Sequence, residues 1–279
     1  MATTDPKAGA KPSEDQFLDQ MSRELAGWSD PYARLRQALD RDELQLFCQP
    51  ILALSPPGGF MMAEVLIRLR EEEARLLPPG DFLPVFEHYG MMPELDRWVV
   101  SHVVRWLAGV RPGGYRSLSI NISVQTIGDP EFPGFVTAEL RSMRIPPAAL
   151  TFEIEESSVL ARAESALQFA AAVKREGCKV AIDGFGQRSV SFAPLKTLRV
   201  DFVKVDGSIV RNLLRSSVAE QKLKAVVRVG ETIGVGVIAE CVEETDILAR
   251  LKLLNVGYAQ GFGIVRPAPI AQRSPSQGG

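Results

Sequence analysis

Five oxygen-bearing side chains stand at or beside the ends of short apolar runs in this 279-residue chain: Glu64, Asn121, Glu153, Asp183 and Glu240. The clearest run, Val180-Ala181-Ile182, is typical of a buried strand and is followed by Asp183 and a glycine-punctuated turn. In a parallel α/β barrel the carboxyl ends of different strands converge on one face, where the chemistry takes place. We therefore expect the five side chains to share one site.

These side chains are hard oxygen ligands without a histidine or cysteine among them, and such a set suits Mg²⁺ or Mn²⁺ rather than Zn²⁺. Lys204, within the apolar run that begins at Phe202, brings a cation to the same rim. Carboxylates with one lysine suit metal-assisted phosphodiester chemistry. A single strand-end acid more often caps a helix or faces solvent, but five in chain order with a lysine favour a site.

Apolar periodicity predicts strands that alternate with helices along most of the chain. Strands are expected near 44–51, 60–69, 116–122, 150–155, 178–183, 202–206, 236–240 and 257–262. Helices are expected near 32–39, 81–88, 93–108, 132–143, 162–175, 208–233 and 243–254. This alternation favours a closed (β/α)8 barrel over an open doubly wound sheet.

The regions outside the barrel are short. Residues 1–14 are polar and without periodicity, so we expect a disordered tail there, and another over 271–279. Residues 15–32 carry apolar side chains at helical spacing, which predicts a helical lead-in: Phe17, Leu18, Met21, Leu25 and Trp28. The barrel domain should then span 33–270.

Charge and cysteine content restrict the function classes. A net charge of −2 gives no basic field for duplex nucleic acid or an anionic membrane surface. Cys48, Cys178 and Cys241 lie in or beside apolar runs, as reduced buried thiols do. No apolar run reaches the ~18 residues of a membrane span, and the first residues lack the apolar stretch of a signal peptide. We expect a cytoplasmic protein that binds neither duplex nucleic acid nor membrane.

The order of motifs resembles the EAL-domain family, the bacterial phosphodiesterase module that linearises cyclic di-GMP. The resemblance covers roughly residues 33 to 270. Its signature triplet is Glu64-Val65-Leu66, followed by Arg68. The remaining motifs follow in order at 119–123, 153–157, 203–206, 239–243 and 258–262. Many separate motifs in the right order are far more specific than a lone triplet.

The resemblance implies a role for each matching residue. Four would be ligands of a first metal ion: Glu64, Asn121, Glu153 and Asp183. Glu240 and Lys204 would be catalytic, because they would hold or activate the attacking water. The cyclic di-GMP ligand would be met by Arg68, at a phosphate, and by Leu66, Gln260, Asp206 and Glu243. Glu156 and Glu243 would brace the loop that follows Asp183.

That loop departs from the family pattern. Active members carry two consecutive aspartates followed by Phe-Gly-Thr-Gly-Tyr-Ser-Ser, whereas here Asp183 is followed by Gly184 and residues 187–191 read Gln-Arg-Ser-Val-Ser. Glycine offers no side-chain oxygen, so the second metal site would be lost and one Mg²⁺ or Mn²⁺ site retained. Cys241 also stands where the family usually has glycine. We expect hydrolysis to be absent or very slow.

Three functions follow from these residues, and we rank them in order. The first is a catalytically impaired EAL protein that binds cyclic di-GMP and signals through a protein partner. The second is a working Mg²⁺- or Mn²⁺-dependent phosphodiesterase that forms pGpG. The third is a ligand-free adaptor that offers the barrel as a scaffold for another protein. A homodimer is a further expectation carried over from the family.

Overall fold

The computed structural model describes residues 28, 30–55, 58–70, 76–109, 115, 117–187 and 191–270. The predicted tails at 1–14 and 271–279, and nearly all of the predicted lead-in helix at 15–32, lie outside these residues and stay predictions. The chain divides into two compact units, Met1–Leu44 with Arg68–Met91 and Gln45–Ile67 with Met92–Gly279. Within the described residues, no helix is long and apolar enough to cross a membrane.

Among its described residues, the smaller unit contains two helices and a short antiparallel pairing. Helix α1 (Pro31–Asp40) begins with proline at its first position, and the Asp30 side chain caps it by accepting the Ala33 N–H at 2.9 Å. Strand β3 (Leu76–Leu77) pairs antiparallel with the end of strand β2 (Gly59–Arg70). Helix α2 (Pro79–His88) follows.

The larger unit holds the barrel. Its strands are β1 (Leu44–Ala53), whose first residue belongs to the smaller unit, β2 up to Ile67, β4 (Ser117–Asn121), β5 (Leu150–Glu155), β6 (Lys179–Phe185), β7 (Phe202–Val205), β8 (Gly236–Ala239) and β9 (Tyr258–Ala259). They neighbour one another in the order β1-β9-β8-β7-β6-β5-β4-β2, and the pairing of β1 with β2 closes the ring. Strand β1 runs antiparallel to β9, while the pairs from β2–β4 to β8–β9 are parallel. The predicted (β/α)8 barrel is therefore confirmed.

Helices connect the parallel strands. They are α3 (Met92–Gly109), α4 (Val124–Ile127), α5 (Phe132–Ser142), α6 (Glu156–Ala161), α7 (Ala163–Arg175), α8 (Ala193–Leu198), α9 (Gly207–Arg211), α10 (Ser217–Ile233) and α11 (Thr245–Leu253). A 3₁₀ turn at Pro147–Ala149 leads into β5, and strand β10 (Ala268–Pro269) pairs antiparallel with β1.

The structure differs from the sequence prediction in several places: the short helices α4, α6 and α8 were not predicted, and three predicted boundaries are wrong. The helix predicted over 208–233 is two helices, α9 and α10, because the Asp206 and Ser216 side chains each cap a new helix start. Strand β6 continues through Gly184 to Phe185, where a turn was predicted. The last barrel strand contains only Tyr258 and Ala259, a small part of the predicted 257–262.

The loops after β8 and β9 are held backbone to backbone. Val242 N–H donates to the Gln260 carbonyl, and Gly263 N–H donates to the Val242 carbonyl, both at 3.0 Å. A Cβ atom on Gly261 would lie 2.2 Å from the Val242 nitrogen and oxygen. Glycine is therefore required at 261 by close packing of the two main chains.

This packing generates a prediction about stability. Replacing Gly261 by alanine should lower the free energy of unfolding by more than about 2 kcal/mol, because backbone atoms would have to move apart. Gly134 is the matched control, since it is an exposed helical glycine with no heavy atom within 4 Å of an added Cβ. Gly134→Ala should raise stability by about 0.5–1 kcal/mol. Urea denaturation of both variants checks this, and equal effects would contradict it.

Candidate active site

The barrel interior is layered, and one layer carries the predicted site. An apolar layer contains Ile51, Met62, Ala181, Phe202 and Ile238. Two residues further along four parallel strands stand Glu64, Asp183, Lys204 and Glu240. Because side chains two residues apart on a strand point to the same side, these four lie above the apolar layer, toward the carboxyl end of the barrel. The apolar layer is thus the floor of the site.

Lys204 is the centre of this site. Its side chain is 1% exposed, and Nζ lies 2.7 Å from Glu153 Oε2, 2.9 Å from Glu240 Oε1 and 3.0 Å from Glu64 Oε2. A fourth carboxylate oxygen, Asp183 Oδ1, is 3.6 Å away. The structure therefore brings together four of the five predicted strand-end oxygen side chains around one ammonium group.

The fifth predicted side chain joins through Glu64. Asn121 Nδ2 donates to Glu64 Oε1 at 2.8 Å, and Gln260 Nε2 donates to Glu64 Oε2 at 2.8 Å. Both Glu64 oxygens therefore accept hydrogen bonds. Glu64 itself lies in the middle of β2, not at its end, because β2 continues past its pairing with β4 to pair with β3.

Gln49 on β1 is a site residue that the sequence analysis missed. It is 7% exposed, accepts from Gln260 Nε2 at 3.2 Å and donates from Nε2 to the Val265 carbonyl at 3.0 Å. Since β1 runs antiparallel to β9, Gln49 precedes the floor residue Ile51 and yet lies on the site side of it. Its signal in the sequence is an amide between apolar residues of an alternating strand, directly before Pro50.

Burial dominates the electrostatics of the site. It raises the pKa of Glu153 to about 8, although the Lys204 ammonium pulls that pKa down, and it raises the pKa of Glu240 well above its usual value. Burial alone would lower the pKa of Lys204, but the surrounding carboxylates together hold it well above the ordinary value. At neutral pH the cluster is therefore less negative than four carboxylates and one ammonium would suggest.

The donor types fit a hard divalent ion, but their arrangement favours Lys204. Glu153 Oε1 is buried and has no hydrogen-bond partner in the part of the chain that the structure describes, so one oxygen is available to a cation. Among the same residues, however, no group of three or more acidic, histidine or cysteine side chains is arranged to hold a metal ion. The carboxylates that would do so are turned toward Lys204.

Gly184 sits in an irregular part of β6. The register with β7 shifts between Ile182 and Phe185, and Gly184 has φ +65°, a left-handed conformation that side chains rarely adopt. An added Cβ there would meet no heavy atom within 4 Å. The position is therefore restricted by backbone conformation and not by space.

The start of the following loop is held by Glu156. Its Oε2 accepts the Gly186 N–H at 3.1 Å, and burial raises its pKa although that hydrogen bond counteracts the rise. The contact lies at the start of the loop, and the bracing role of Glu156 stays a prediction. Residues 188–190, which are part of the predicted departure from the family pattern, lie outside the described residues.

The remaining predicted ligand residues are not gathered into the cluster. Asp206 caps α9, because its Oδ1 accepts the Ser208 N–H at 2.9 Å. Glu243 is exposed, and Leu66 is half-buried on β2. Arg68 is also half-buried on β2, in the segment that belongs to the smaller unit. The ligand-binding roles of these residues, and the bracing role of Glu243, stay predictions.

Cys241, next to Glu240, has the left-handed φ of +54°. A Cβ on Gly207 would lie 2.5 Å from Cys241 Sγ and 2.9 Å from Arg211 Nη1. The thiol therefore fills the space above Gly207 at the start of α9. Burial raises the pKa of this thiol, which keeps it a neutral packing group.

A model of the EAL domain family matches residues 33–267. The chain belongs to the EAL family. Curated relatives include cyclic di-GMP phosphodiesterase PdeB of Shewanella oneidensis, 31% identical over 85% of this chain and 28% of the relative. Cyclic di-GMP phosphodiesterase PdeF of Escherichia coli is 31% identical over 90% of this chain and 33% of the relative. The chain thus spans about a third of the length of these relatives.

Solved EAL structures share this fold. The FimX EAL domain from Pseudomonas aeruginosa, bound to c-di-GMP, has a TM-score of 0.78 at 28% identity and covers 87% of this chain and 98% of its own. The PaMucR phosphodiesterase in its c-di-GMP complex has a TM-score of 0.79 at 28% identity, covering 86% and 97%. The barrel of this EAL domain is therefore close to that of two proteins solved with the same ligand.

Asp96 is a second residue of the EAL domain that the sequence analysis missed. It lies on α3, is 4% exposed, and its Oδ2 accepts the Ser123 N–H at 3.1 Å, two residues after Asn121. It therefore supports the chain that leaves β4. Burial raises its pKa to about 6, although hydrogen bonds from Thr126 and Ser123 act in the opposite direction.

This raised pKa predicts a pH effect on stability. A carboxyl whose pKa is higher in the folded state stabilises most below its unfolded pKa of 3.8, and the contribution is lost as pH rises through about 6. Asp96→Asn removes that dependence. Between about pH 4.5 and 7.5 the free energy of unfolding of the unmodified protein, relative to the variant, should fall by about 2 kcal/mol. Urea denaturation at both pH values measures this, and a constant difference would refute it.

Proposed function

We propose that this EAL domain is a cyclic di-GMP receptor that hydrolyses its ligand slowly or not at all and signals through a protein partner. The observation that carries the proposal is Gly184. It stands where the family resemblance implies a second metal-binding aspartate, while Glu64, Glu153, Asp183 and Lys204 remain together. Ligand recognition and hydrolysis are separable on this view, because only the second requires the missing carboxylate.

The relatives solved with c-di-GMP support the choice of ligand. An exposed aromatic ring supports it too: Phe262 is 54% exposed, and the Arg266 guanidinium lies 5.1 Å from its ring centroid. Phe262 follows Gln260 by two residues in a loop that is fixed by backbone packing. An exposed ring with a cation beside it suits stacking with a purine base.

The charge of the ligand sets a condition on binding. Cyclic di-GMP is a dianion, and the carboxylates around Lys204 would repel it unless cations or protons neutralise them. We infer that Lys204 supplies positive charge and that Arg68 meets a phosphate, as the family resemblance implies. The resemblance also assigns one Mg²⁺ or Mn²⁺ ion to Glu64, Asn121, Glu153 and Asp183, but three of these carboxylates face Lys204, so such an ion would be held weakly. When bound, such an ion neutralises phosphate charge and acidifies a water molecule. A second ion would have one carboxylate ligand fewer, because Gly184 has no side-chain oxygen.

A weakly active phosphodiesterase is the second candidate. The observation in its favour is that Glu240 and Lys204, the residues with implied catalytic roles, contact each other at 2.9 Å. Such an enzyme would form linear pGpG from cyclic di-GMP. A homodimer stays a prediction in either case.

The binding proposal is tested by calorimetric titration of cyclic di-GMP, with chromatography of the same samples for pGpG. We expect saturable binding and no product over the time of the titration. Arg68→Ala should weaken binding by about tenfold or more, because it removes a charged phosphate contact. Arg70→Ala is the matched control, since Arg70 is exposed on the same strand, and it should bind normally. Absence of binding in the unmodified protein would refute the receptor.

The role of Gly184 predicts a gain of function. Gly184→Asp should raise the rate of pGpG formation by about 100-fold in Mn²⁺, because it restores a carboxylate in open space. Gly184→Ala is the control, since it carries the same backbone strain of about 1 kcal/mol but offers no oxygen. Chromatography measures product, and thermal unfolding verifies that both variants fold. Equal rates in the two variants, or rapid turnover by the unmodified protein, would contradict the proposal.

A further inference from the structure

Carboxylate oxygens surround the Lys204 ammonium: Nζ donates hydrogen bonds to Glu64 Oε2 and Glu153 Oε2 and forms an ion pair with Glu240 Oε1. An ammonium group has three N–H donors. Three carboxylate oxygens lie within 3.0 Å of Nζ, on Glu64, Glu153 and Glu240, and they come from three different strands or strand ends. The Asp183 oxygen at 3.6 Å adds a fourth negative neighbour. The ammonium group therefore binds this cluster much as a bound cation would.

The surroundings hold the ammonium in this position. Lys204 is 0% exposed and lies on β7 between the buried residues Val203 and Val205. The floor residue Phe202 precedes it by two positions on the same strand. Burial makes it costly for the lysine to leave its carboxylate partners, and no contact among the described residues offers it a different set of acids. The cluster and its cation thus form one preassembled unit.

A divalent ion would compete with this unit for the same oxygens. Mg²⁺ requires near-octahedral oxygen geometry at about 2.0–2.1 Å and gives up its water shell reluctantly. One oxygen each of Glu64, Glu153 and Glu240 instead faces the ammonium, at 3.0, 2.7 and 2.9 Å, while the buried Glu153 Oε1 has no hydrogen-bond partner among the described residues. Binding an ion would require the carboxylates to turn away from a fixed positive charge.

We propose that Lys204 serves as a built-in cation, which makes this EAL domain a weak binder of divalent ions and lets its site accept an anionic ligand without added metal. The first part concerns metal ions alone. The second part rests on the proposed cyclic di-GMP receptor function. The two parts are therefore tested separately.

The first test is a titration of Mn²⁺ into the metal-free protein, followed by calorimetry and by the loss of the free-ion electron paramagnetic resonance signal. We expect the unmodified protein to bind Mn²⁺ with a dissociation constant of about 1 mM or weaker. Lys204→Met, which keeps length and removes charge, should bind about tenfold or more tightly. Lys204→Arg, which keeps the charge, should bind as weakly as the unmodified protein.

If Lys204→Met folds poorly, the effect of Mn²⁺ on its melting temperature provides a second measurement of metal binding. In EDTA that variant should melt several degrees lower than the unmodified protein, since four carboxylates are left without their cation, and saturating Mn²⁺ should restore most of the loss. The unmodified protein should show little change with Mn²⁺. Binding of Mn²⁺ to the unmodified protein at tens of micromolar or tighter would overturn the proposal, whatever the variant does.

The position of the ion is tested by a double variant. Lys204→Met with Glu153→Gln replaces an ionisable oxygen ligand by an amide with almost no change of shape, so the gained Mn²⁺ affinity should disappear. If the gain survives this substitution, the ion binds elsewhere and the proposal is overturned.

The ligand part is tested by calorimetric titration of cyclic di-GMP in EDTA and in Mg²⁺. We expect the two dissociation constants to agree within about threefold. Binding that requires Mg²⁺ would overturn the built-in cation while leaving the receptor intact. Absence of binding under both conditions would overturn the receptor function. The Mn²⁺ titration would still test the weak metal binding independently.

Discussion

One buried positive charge at the carboxyl end of the barrel constrains the rest of the site. A lysine with 0% exposure is tolerated only where opposite charges surround it, because removing an ammonium from water costs several kcal/mol. Four carboxylates from separate strands supply that surrounding, and they can meet at one point only because the barrel closes. Burial of ion pairs seldom adds net stability. We therefore interpret the cluster as a functional site and not as a source of net stability for the fold.

The sequence predicted this convergence because the rule behind it is geometric. Parallel strands of a barrel point their carboxyl ends at one face, so acids that follow apolar runs must approach one another. The same reasoning failed for elements decided by local capping. The spacing of apolar residues over 208–233 did not reveal the break between α9 and α10. Apolar spacing reflects burial, whereas the break depends on hydrogen bonds from backbone N–H groups to the Asp206 and Ser216 side chains. Strand β6 passes Gly184 because neighbouring strands hold it, against the local preference of glycine.

Gln49 and Asp96 show what a pattern cannot supply. The hydrogen-bond partner of each is distant in sequence, so only the folded chain reveals the contact. Gln49 also depends on strand direction, since β1 is antiparallel to β9 and its residues enter the layers in reverse order. Direction of the first strand was not readable from alternation alone, because alternation is the same in both directions.

The contact between Gly207 and Cys241 links the mutational histories of two positions. With sulfur 2.5 Å from where a Cβ on residue 207 would be, only one of the two sites can carry a side chain. A glycine at 241 would suit its own left-handed backbone and would remove the nearest obstacle to a side chain at 207, although the Arg211 guanidinium would remain 2.9 Å from a Cβ there. Cysteine at 241 is therefore compatible with glycine at 207, whereas a larger side chain at 207 would require the thiol and the Arg211 guanidinium to move. Among EAL domains these two positions should covary, with bulk at one excluding bulk at the other.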